Sequence, residues 1–299
     1  MKMNMKITEL HAQFCSESLA IRNLRPKTIH SYRSSLKQFL KYSRIQYMNE
    51  IHHELLRGFL FDGRINKNWT PETFLYYFKA IKPFFKWCIK RGYMEKNPMD
   101  DIDLPRRERK LPKRISKEDA MKLLEYSFNM KYTYKFERYR NRAIIGTLIY
   151  TGMRAQEMLD LKIAEIDIPN GVIMVRCGKG AKDRVIPICS QLRYYLLEYL
   201  KDRKRLNRST IYFFTSVRGD IPFTYSGLKR VVEKLKKRTK IKFSAHRLRH
   251  TFATLMLEGG CDLFSLQKML GHSDIKTTTI YLSTTVHHLQ EQIQKHPLG

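Results

Sequence analysis

The sequence predicts a mainly α-helical protein with a small β-sheet, built as a helical N-terminal domain followed by an α+β domain. Three observations support this fold class. Apolar residues recur with helical spacing through residues 1–100, the periodicity breaks over residues 101–113, and two short β segments stand among the helices that follow. At 299 residues, the chain is long enough for two domains with their own cores.

Two helices of the N-terminal domain have clear apolar faces. In "RPKTIHSYRSSLKQFLKYS" and "PETFLYYFKAIKPFFKWCIKRGY" the apolar side chains fall on one side of a helix. Gly92 is expected to end the second helix, and Pro83 to kink or split it. Because the aromatic residues keep helical spacing, we interpret them as core. The lysines and arginines between them are the better candidates for phosphate contacts.

The stretch "NPMDDIDLPRRERKLPKRIS" has three prolines, mixed charge and few apolar residues. It predicts a linker at 101–113 between domains at 1–100 and 114–299. Both a solvated loop and a basic strap along a phosphate backbone fit this composition. Ser116 then caps the next helix, with Asp119 in its first turn.

The C-terminal domain mixes strands and helices. "GVIMVRCGKGAKDRVIPI" predicts two β segments, 172–176 and 184–188, around a connection rich in Gly and Lys. Apolar periodicity predicts the helices that follow. They are expected at 190–204, 224–239, 247–258 and 263–270.

The charge points to a polyanionic partner. The chain has 57 Lys+Arg against 28 Asp+Glu, a net charge of +29, in a globular composition with 42% hydrophobic residues. A compact body with this excess repels itself unless an anion neutralises it, and nucleic acid is the partner it favours. A ribosome-associated or simply basic soluble protein stays an alternative on charge alone.

The sequence predicts a cytoplasmic protein with no membrane partner. "MKMNMKITELHAQF" lacks a continuous apolar stretch, and the run "AIIGTLIYTGM" is about half of the ~20 residues that span a bilayer. The cysteines are odd in number and scattered, which favours reduced thiols over a disulfide framework or a CxxC zinc pattern. They are Cys15, Cys88, Cys177, Cys189 and Cys261.

The segment "AHRLRHTFAT" concentrates costly polar groups on a predicted helix. His246 and Arg249 are three residues apart and share a face, and His250 lies one turn from His246. Histidines at i and i+4 can bind zinc, but the adjacent arginines disfavour a dication and the motif has no glutamate base. A purely structural role is plausible for one histidine and poor for the whole set.

Further polar candidates lie on either side of that helix. Arg154 opens a helix in "YTGMRAQEMLDL", where Glu157 either orients it or supports the helix start. Lys179 lies between two glycines in "CGKGAKDR", although a solvated turn lysine is the commoner interpretation of such a segment alone. His272 and Tyr281 follow in "LGHSDIKTTTIYL"; a lone tyrosine of this kind is usually a packing residue.

Together these residue types match the cleavage of a DNA phosphodiester. Fixed arginines stabilise the negative charge of the transition state, a lysine can protonate the leaving oxygen, and a histidine can accept the proton of the nucleophile. A tyrosine nucleophile would store the bond energy in a phosphotyrosine, which requires neither metal nor ATP.

The ordered motifs "TGMRAQE", "GKGAKDR", "HRLRH", "LGHSD" and "TTTIYL" resemble the tyrosine recombinase (phage integrase) family, and most of all its Xer-like bacterial members. The resemblance covers residues 116–285 in order. It extends more weakly to "LRPKTIHSYRSSLKQFL", which is similar to the helical core-binding domain of the family.

The resemblance implies six catalytic residues and no cofactor or metal. Tyr281 would be the nucleophile, and Arg154 and Arg249 the phosphate clamp. Lys179, rather than the second lysine of "GKGAKDR", would be the general acid.

Two histidines complete the implied set. His246 would be the general base or its equivalent, and His272 would hydrogen-bond the scissile phosphate. His250 is better interpreted as structural.

The resemblance also implies a two-domain, C-shaped clamp around double-stranded DNA at a specific site. Four protomers would assemble on two sites, with two active at a time, and exchange strands through a Holliday junction. The tail "STTVHHLQEQIQKHPLG", with apolar Val286, Leu289 and Ile293, would dock on a neighbour; the alternative is a frayed terminus. A second recombinase or an activating protein fits this assembly as a further partner.

Two other functions stay open at this point. A type IB topoisomerase shares the nucleophilic chemistry but would relax supercoils as a monomer. A DNA-binding protein on the same fold would not cut; the filled catalytic positions argue against it. A metal-dependent nuclease is disfavoured because carboxylate clusters are missing from the sequence.

Overall fold

The computed structural model describes residues 5–106, 114–176 and 183–271. The chain divides into two compact units, Met1–Arg109 and Lys110–Gly299. The predicted mainly helical fold with a small sheet is confirmed. The linker limits of 101 and 113 stay a prediction.

The described residues of the first unit contain four α-helices around an aromatic core. They are α1 (Ile7–Ala20), α2 (Pro26–Ser43), α3 (His53–Ile65) and α4 (Pro71–Lys90). Phe39, Phe74 and Phe84 are almost completely buried in this core, as their helical spacing predicts. Met99 and Ile102, which follow α4, are buried in the same cluster.

Helix α4 is not split at Pro83 but runs from Pro71 to Lys90 as one helix. A proline inside a helix costs about 3 kcal/mol or more, because it removes a hydrogen bond and crowds the preceding turn. Ile81 and Phe84 on either side of it are fully buried, and this burial offsets the cost. Gly92 follows the last residues of α4 with φ +75°, as predicted for the helix end.

The second unit contains seven helices in its described residues. They are α5 (Lys117–Asn129), α6 (Lys135–Thr151), α7 (Ala155–Asp160), α8 (Ser190–Arg205), α9 (Tyr225–Thr239), α10 (Ala245–Glu258) and α11 (Leu263–Leu270). Helix α6 lies at the centre and packs against α5, α8 and α10. Ser116 caps α5 by accepting a hydrogen bond from the Asp119 N–H at 3.0 Å, as predicted.

In the described part of this unit, three antiparallel strands form the sheet, in the order β1 (Ile166–Asp167), β2 (Val172–Val175) and β3 (Arg184–Pro187). Strands β2 and β3 pair with Ile173 opposite Ile186. Both predicted β segments are confirmed. Strand β1 was not predicted, because two residues are too short to show an alternating pattern.

The predicted helix limits hold within one residue for α8, α9 and α11. Helix α10 begins at Ala245, two residues before the predicted start, because Ser244 accepts a hydrogen bond from the Arg247 N–H at 3.2 Å. His246 therefore lies in the first turn of α10. Within the described ranges, no helix is long and apolar enough to cross a membrane.

Candidate active site

The first two turns of α10 carry the histidines and arginine of the "HRLRH" motif. His246 is exposed and His250 is half-buried, with their ring centroids 4.3 Å apart. Arg249 turns the other way and is only 3% exposed. The spacing predicts that His246 and Arg249 share a helix face, but in the structure the imidazole of His246 is exposed and the guanidinium group of Arg249 is buried.

Arg249 is held by the carboxyl ends of two other helices. Its Nη1 donates to the carbonyl oxygen of Gly152 and its Nη2 to that of Leu270, both at 2.7 Å. The last carbonyls of a helix have no partner inside the helix, and the negative end of the helix dipole favours a cation there. Arg249 therefore joins α10 to the ends of α6 and α11.

Gly152 is required at the end of α6 for two reasons. Its φ is +61°, in the left-handed region that glycine adopts without strain. A Cβ at this position would lie 2.3 Å from the ring of Phe252 on α10. Because Gly152 has no side chain, the end of α6 approaches α10 closely enough for the Gly152 carbonyl to contact Arg249.

Arg154 immediately precedes α7, two residues after that carbonyl. Its side chain is half exposed, and its Nη1 lies 2.8 Å from Glu157 Oε1. Glu157 Oε2 also accepts the Arg154 backbone N–H at 2.9 Å. Glu157 therefore has both of the roles left open by the sequence: it orients Arg154 and it supports the helix start.

Arg184, which the sequence analysis missed, is the second partner of Glu157. Its Nη2 lies 2.6 Å from Glu157 Oε2, and its Nε donates to the carbonyl oxygen of Met269 at 2.8 Å. A sequence signal for Arg184 was present. Side chains alternate between the two faces of a strand, so Arg184 lies on the same buried face of β3 as Ile186. A charged residue at an inward strand position requires a buried partner.

These contacts shift the pKa values of the site residues. Burial would raise the pKa of Glu157, but hydrogen bonds from Arg184 and from the Arg154 N–H outweigh it and lower that pKa to about 2. His246 is exposed at its surface but partly desolvated by its neighbours, and this desolvation, together with the charges of Arg249 and Arg154, lowers the pKa of His246. Burial and the neighbouring His246 lower the pKa of His250 to about 4.

Three of the six predicted catalytic residues therefore lie in one place. Arg249 contacts the carbonyl that precedes Arg154 by two residues, and both cations depress the pKa of His246. Lys179, His272 and Tyr281 lie outside the described residues. Within the ranges that are described, there is no group of three His, Cys, Asp or Glu side chains that could hold a metal ion.

The arrangement suits a phosphate with developing negative charge. Two guanidinium groups can donate to separate oxygens of a phosphate, and groups fixed before the reaction need no reorganisation during it. An imidazole with a lowered pKa is neutral near pH 7 and can accept a proton.

Comparisons with known sequences identify the family of the chain. The profile of the Phage integrase family matches residues 113–288, which is more than half of the chain. The chain belongs to the phage integrase family. The profile of the phage integrase N-terminal SAM-like domain matches residues 12–95, a range that extends from within α1 to just beyond the end of α4.

Relatives of this phage integrase family member include Xer recombinases. The chain is 33% identical over 287 residues to tyrosine recombinase XerC of Pelobacter propionicus, covering 92% of this chain and 91% of the relative. It is 30% identical over 285 residues to tyrosine recombinase XerD of Staphylococcus haemolyticus, covering 92% and 94%. The predicted resemblance to Xer-like tyrosine recombinases is confirmed.

A solved site-specific recombinase shares the fold. The structure of the XerH site-specific recombinase, bound to palindromic difH substrate in a post-cleavage complex, aligns with a TM-score of 0.74 and 26% identity. The alignment covers 95% of this chain and 83% of the XerH chain.

Proposed function

We propose that this protein is a site-specific recombinase that cleaves and rejoins duplex DNA through a 3′-phosphotyrosyl intermediate. The observation that carries the proposal is the meeting of Arg154, His246 and Arg249 beside α10, in a chain of the phage integrase family. The net charge of +29 supports a DNA partner, and the XerH structure was solved bound to its palindromic difH substrate.

In the proposed reaction, the Tyr281 hydroxyl oxygen attacks the scissile phosphorus. The new P–O bond to Tyr281 forms as the bond to the 5′ oxygen breaks, which leaves the 3′ phosphate on the tyrosine. His246 accepts the tyrosine proton, Lys179 gives a proton to the 5′ oxygen, and His272 donates a hydrogen bond to the phosphate. Because the phosphotyrosine keeps the energy of the broken bond, rejoining needs no ATP and no metal.

The two arginines have different tasks in this proposal. Arg249 is buried and held at two carbonyls, so it presents a fixed charge to the phosphate. Arg154 is half exposed, and the ion pair with Glu157 engages its Nη1. A guanidinium group has five N–H donors, which leaves Arg154 with donors for a phosphate oxygen. The lowered pKa of His246 favours its neutral form, which is the form that can accept a proton.

The finer parts of the proposal concern assembly. Four protomers act on two DNA sites, two at a time, with a Holliday junction between the two rounds of strand exchange. The C-terminal tail docks on a neighbouring protomer, and a second recombinase or an activator can join the complex. The cytoplasmic location also stays a prediction.

The test uses labelled duplexes with a nick close to candidate crossover positions, so that a cleaved strand cannot rejoin. EDTA is present, and the product measured is a protein–DNA adduct that survives SDS. We expect an adduct through the 3′ phosphate on a specific sequence, with Tyr281→Phe forming none while it keeps its DNA affinity. Tyr225→Phe, at an exposed tyrosine in α9, is the matched control and should form the adduct.

Other outcomes would favour the other two functions. Adducts on every duplex, together with relaxation of supercoiled plasmid, would indicate a topoisomerase. Tight DNA binding without an adduct on any candidate site would contradict the proposed cleavage and indicate a DNA-binding protein.

A further inference from the structure

Arg184 connects three segments that meet at the candidate active site. It is the first residue of β3, it pairs with Glu157 of α7, and it donates to the Met269 carbonyl near the end of α11. Its side chain is only 6% exposed. No catalytic role in the proposed reaction is assigned to it.

The end of α11 is built around this side chain. Gly271 follows α11 with φ +66°, and a Cβ there would lie 2.9 Å from Arg184 Cδ. Arg184 and Arg249 lie next to each other at this helix end. Arg184 donates a hydrogen bond to the carbonyl oxygen of Met269, and Arg249 donates one to the carbonyl oxygen of Leu270. A buried guanidinium group costs several kcal/mol unless such partners compensate it. The surroundings of Arg184 therefore match a guanidinium group in both shape and polarity.

The charge of Arg184 changes what Glu157 does to Arg154. Glu157 Oε1 lies 2.8 Å from Arg154 Nη1 and 3.2 Å from Arg184 Nη1, so the carboxylate is shared. Two guanidinium cations against one carboxylate leave the group with one net positive charge. If Arg184 were neutral, Glu157 would pair with Arg154 alone, and the neutral pair would attract a phosphate less strongly.

We infer that Arg184 is a positioning residue that acts through Arg154: it holds Glu157 against β3 and α11 and shares its charge, so that Arg154 is oriented without being neutralised. The inference rests on the proposed function, because it concerns the transfer of a phosphate. It assigns to Arg184 no contact with the DNA.

The experiment is a double-mutant cycle on adduct formation, measured in single turnover at saturating DNA. The variants are Arg154→Ala, Arg184→Met and the two combined. A misplaced site residue can slow a reaction by about 10²-fold, and we expect this loss for each single variant. Because Arg184 acts through Arg154, the double variant should be no slower than Arg154→Ala.

Arg140→Met is the matched control. Arg140 is a buried arginine of the same unit, paired with Glu137 at 3.6 Å on the first turn of α6, away from the candidate site. It should lower the melting temperature as Arg184→Met does but leave the cleavage rate of the folded protein unchanged. Arg184→Lys keeps the charge and loses the forked contact, and should recover part of the rate; it replaces Arg184→Met in the cycle if that variant does not fold.

The outcomes separate this inference from the proposed function. If the wild type forms the adduct and the double variant is slower by the product of the single effects, about 10⁴-fold, Arg184 does not act through Arg154 and the inference is overturned. A wild-type rate in Arg184→Met would also overturn it. A wild type that forms no adduct would instead refute the proposed function, and the inference with it.

Discussion

The two units of the chain bury different kinds of side chain. The first unit encloses aromatic rings, and its buried polar residues within the described range are neutral or weakly basic: His11, Ser18, Ser35 and Asn97. The second unit buries arginine and aspartate: Arg140, Arg184, Asp202, Arg203 and Arg249. The cost of a buried charge is therefore concentrated in the unit that contains the candidate site.

The arginines of the two units also differ in how firmly their side chains are held. In the first unit, Arg57 and Arg91 pair with glutamates at the surface, where an ion pair contributes little. In the second unit, Arg249 and Arg184 have fixed positions because carbonyls and a carboxylate surround them. A fixed charge suits the proposed catalysis, since its orientation would already be determined when a phosphate binds.

Among the arginine substitutions, replacement of Arg249 should have the largest effect on the rate of DNA cleavage. Arg249→Lys leaves at least one of the Gly152 and Leu270 carbonyls unpaired, which costs about 1–3 kcal/mol of stability. It should also slow adduct formation by about 10²- to 10³-fold. Chemical denaturation and single-turnover cleavage measure the two effects.

The control for this substitution is Arg203→Lys. Arg203 is also buried, and donates to the carbonyl oxygens of Arg208 and Thr210 at 2.9 and 2.6 Å. It should lose comparable stability without loss of cleavage. Equal cleavage defects in both variants would show that Arg249 acts only in folding.

Arg154→Ala sharpens the comparison because Arg154 is charged but half exposed. We expect cleavage to slow by about 10²-fold, while the free energy of unfolding changes by no more than about 0.5 kcal/mol. Glu157 keeps Arg184 as its partner in this variant. Cleavage at the wild-type rate, or a large loss of stability, would each contradict this assignment.

The sequence predicts local features of this fold well. Ser116 and Ser244 are helix caps, and the apolar periods of α8, α9 and α11 continue to their observed ends. These features depend on residues a few positions apart. Arg154 and Arg249 were found because a family motif marks them.

The features that were missed depend on tertiary contacts. Arg184 reaches a carbonyl 85 residues away, and no local pattern specifies that partner. Helix α4 continues through Pro83 because both sides of it are buried in the core, which outweighs the local preference of proline. Strand β1 exists only as the partner of β2.

Glu157→Gln should reduce stability in a pH-dependent way. The pKa of Glu157 is about 2, below its ordinary 4.5, so the ionised form is stabilised by folding. This contribution is present above pH 4.5 and is lost as the pH falls toward 2. The variant should be less stable than the wild type by up to about 3 kcal/mol at pH 7, with a smaller difference at pH 3.

Glu198→Gln is the comparison for that measurement. Glu198 pairs with the exposed Lys201 at 2.9 Å, and its loss should change the free energy of unfolding by no more than about 0.5 kcal/mol at either pH. If Glu157→Gln shows the same deficit at pH 7 and pH 3, the charge of Glu157 is not what stabilises the site.

A pH-dependent effect on stability is also expected in the first unit, at His11. Burial first, and the charge of Arg33 second, lower the pKa of His11 from 6.5 to about 4. The unfolded chain therefore binds more protons between these values, and the unit should lose stability as the pH falls from 6.5 to 4. His11→Leu should remove that slope, whereas substitution of the exposed His30 by Gln should keep it.

Trp69 and Trp87 are the two tryptophans of the chain and both lie in the first unit, so their fluorescence in urea reports its unfolding separately. An unchanged slope in His11→Leu would show that another group in this unit carries the pH dependence.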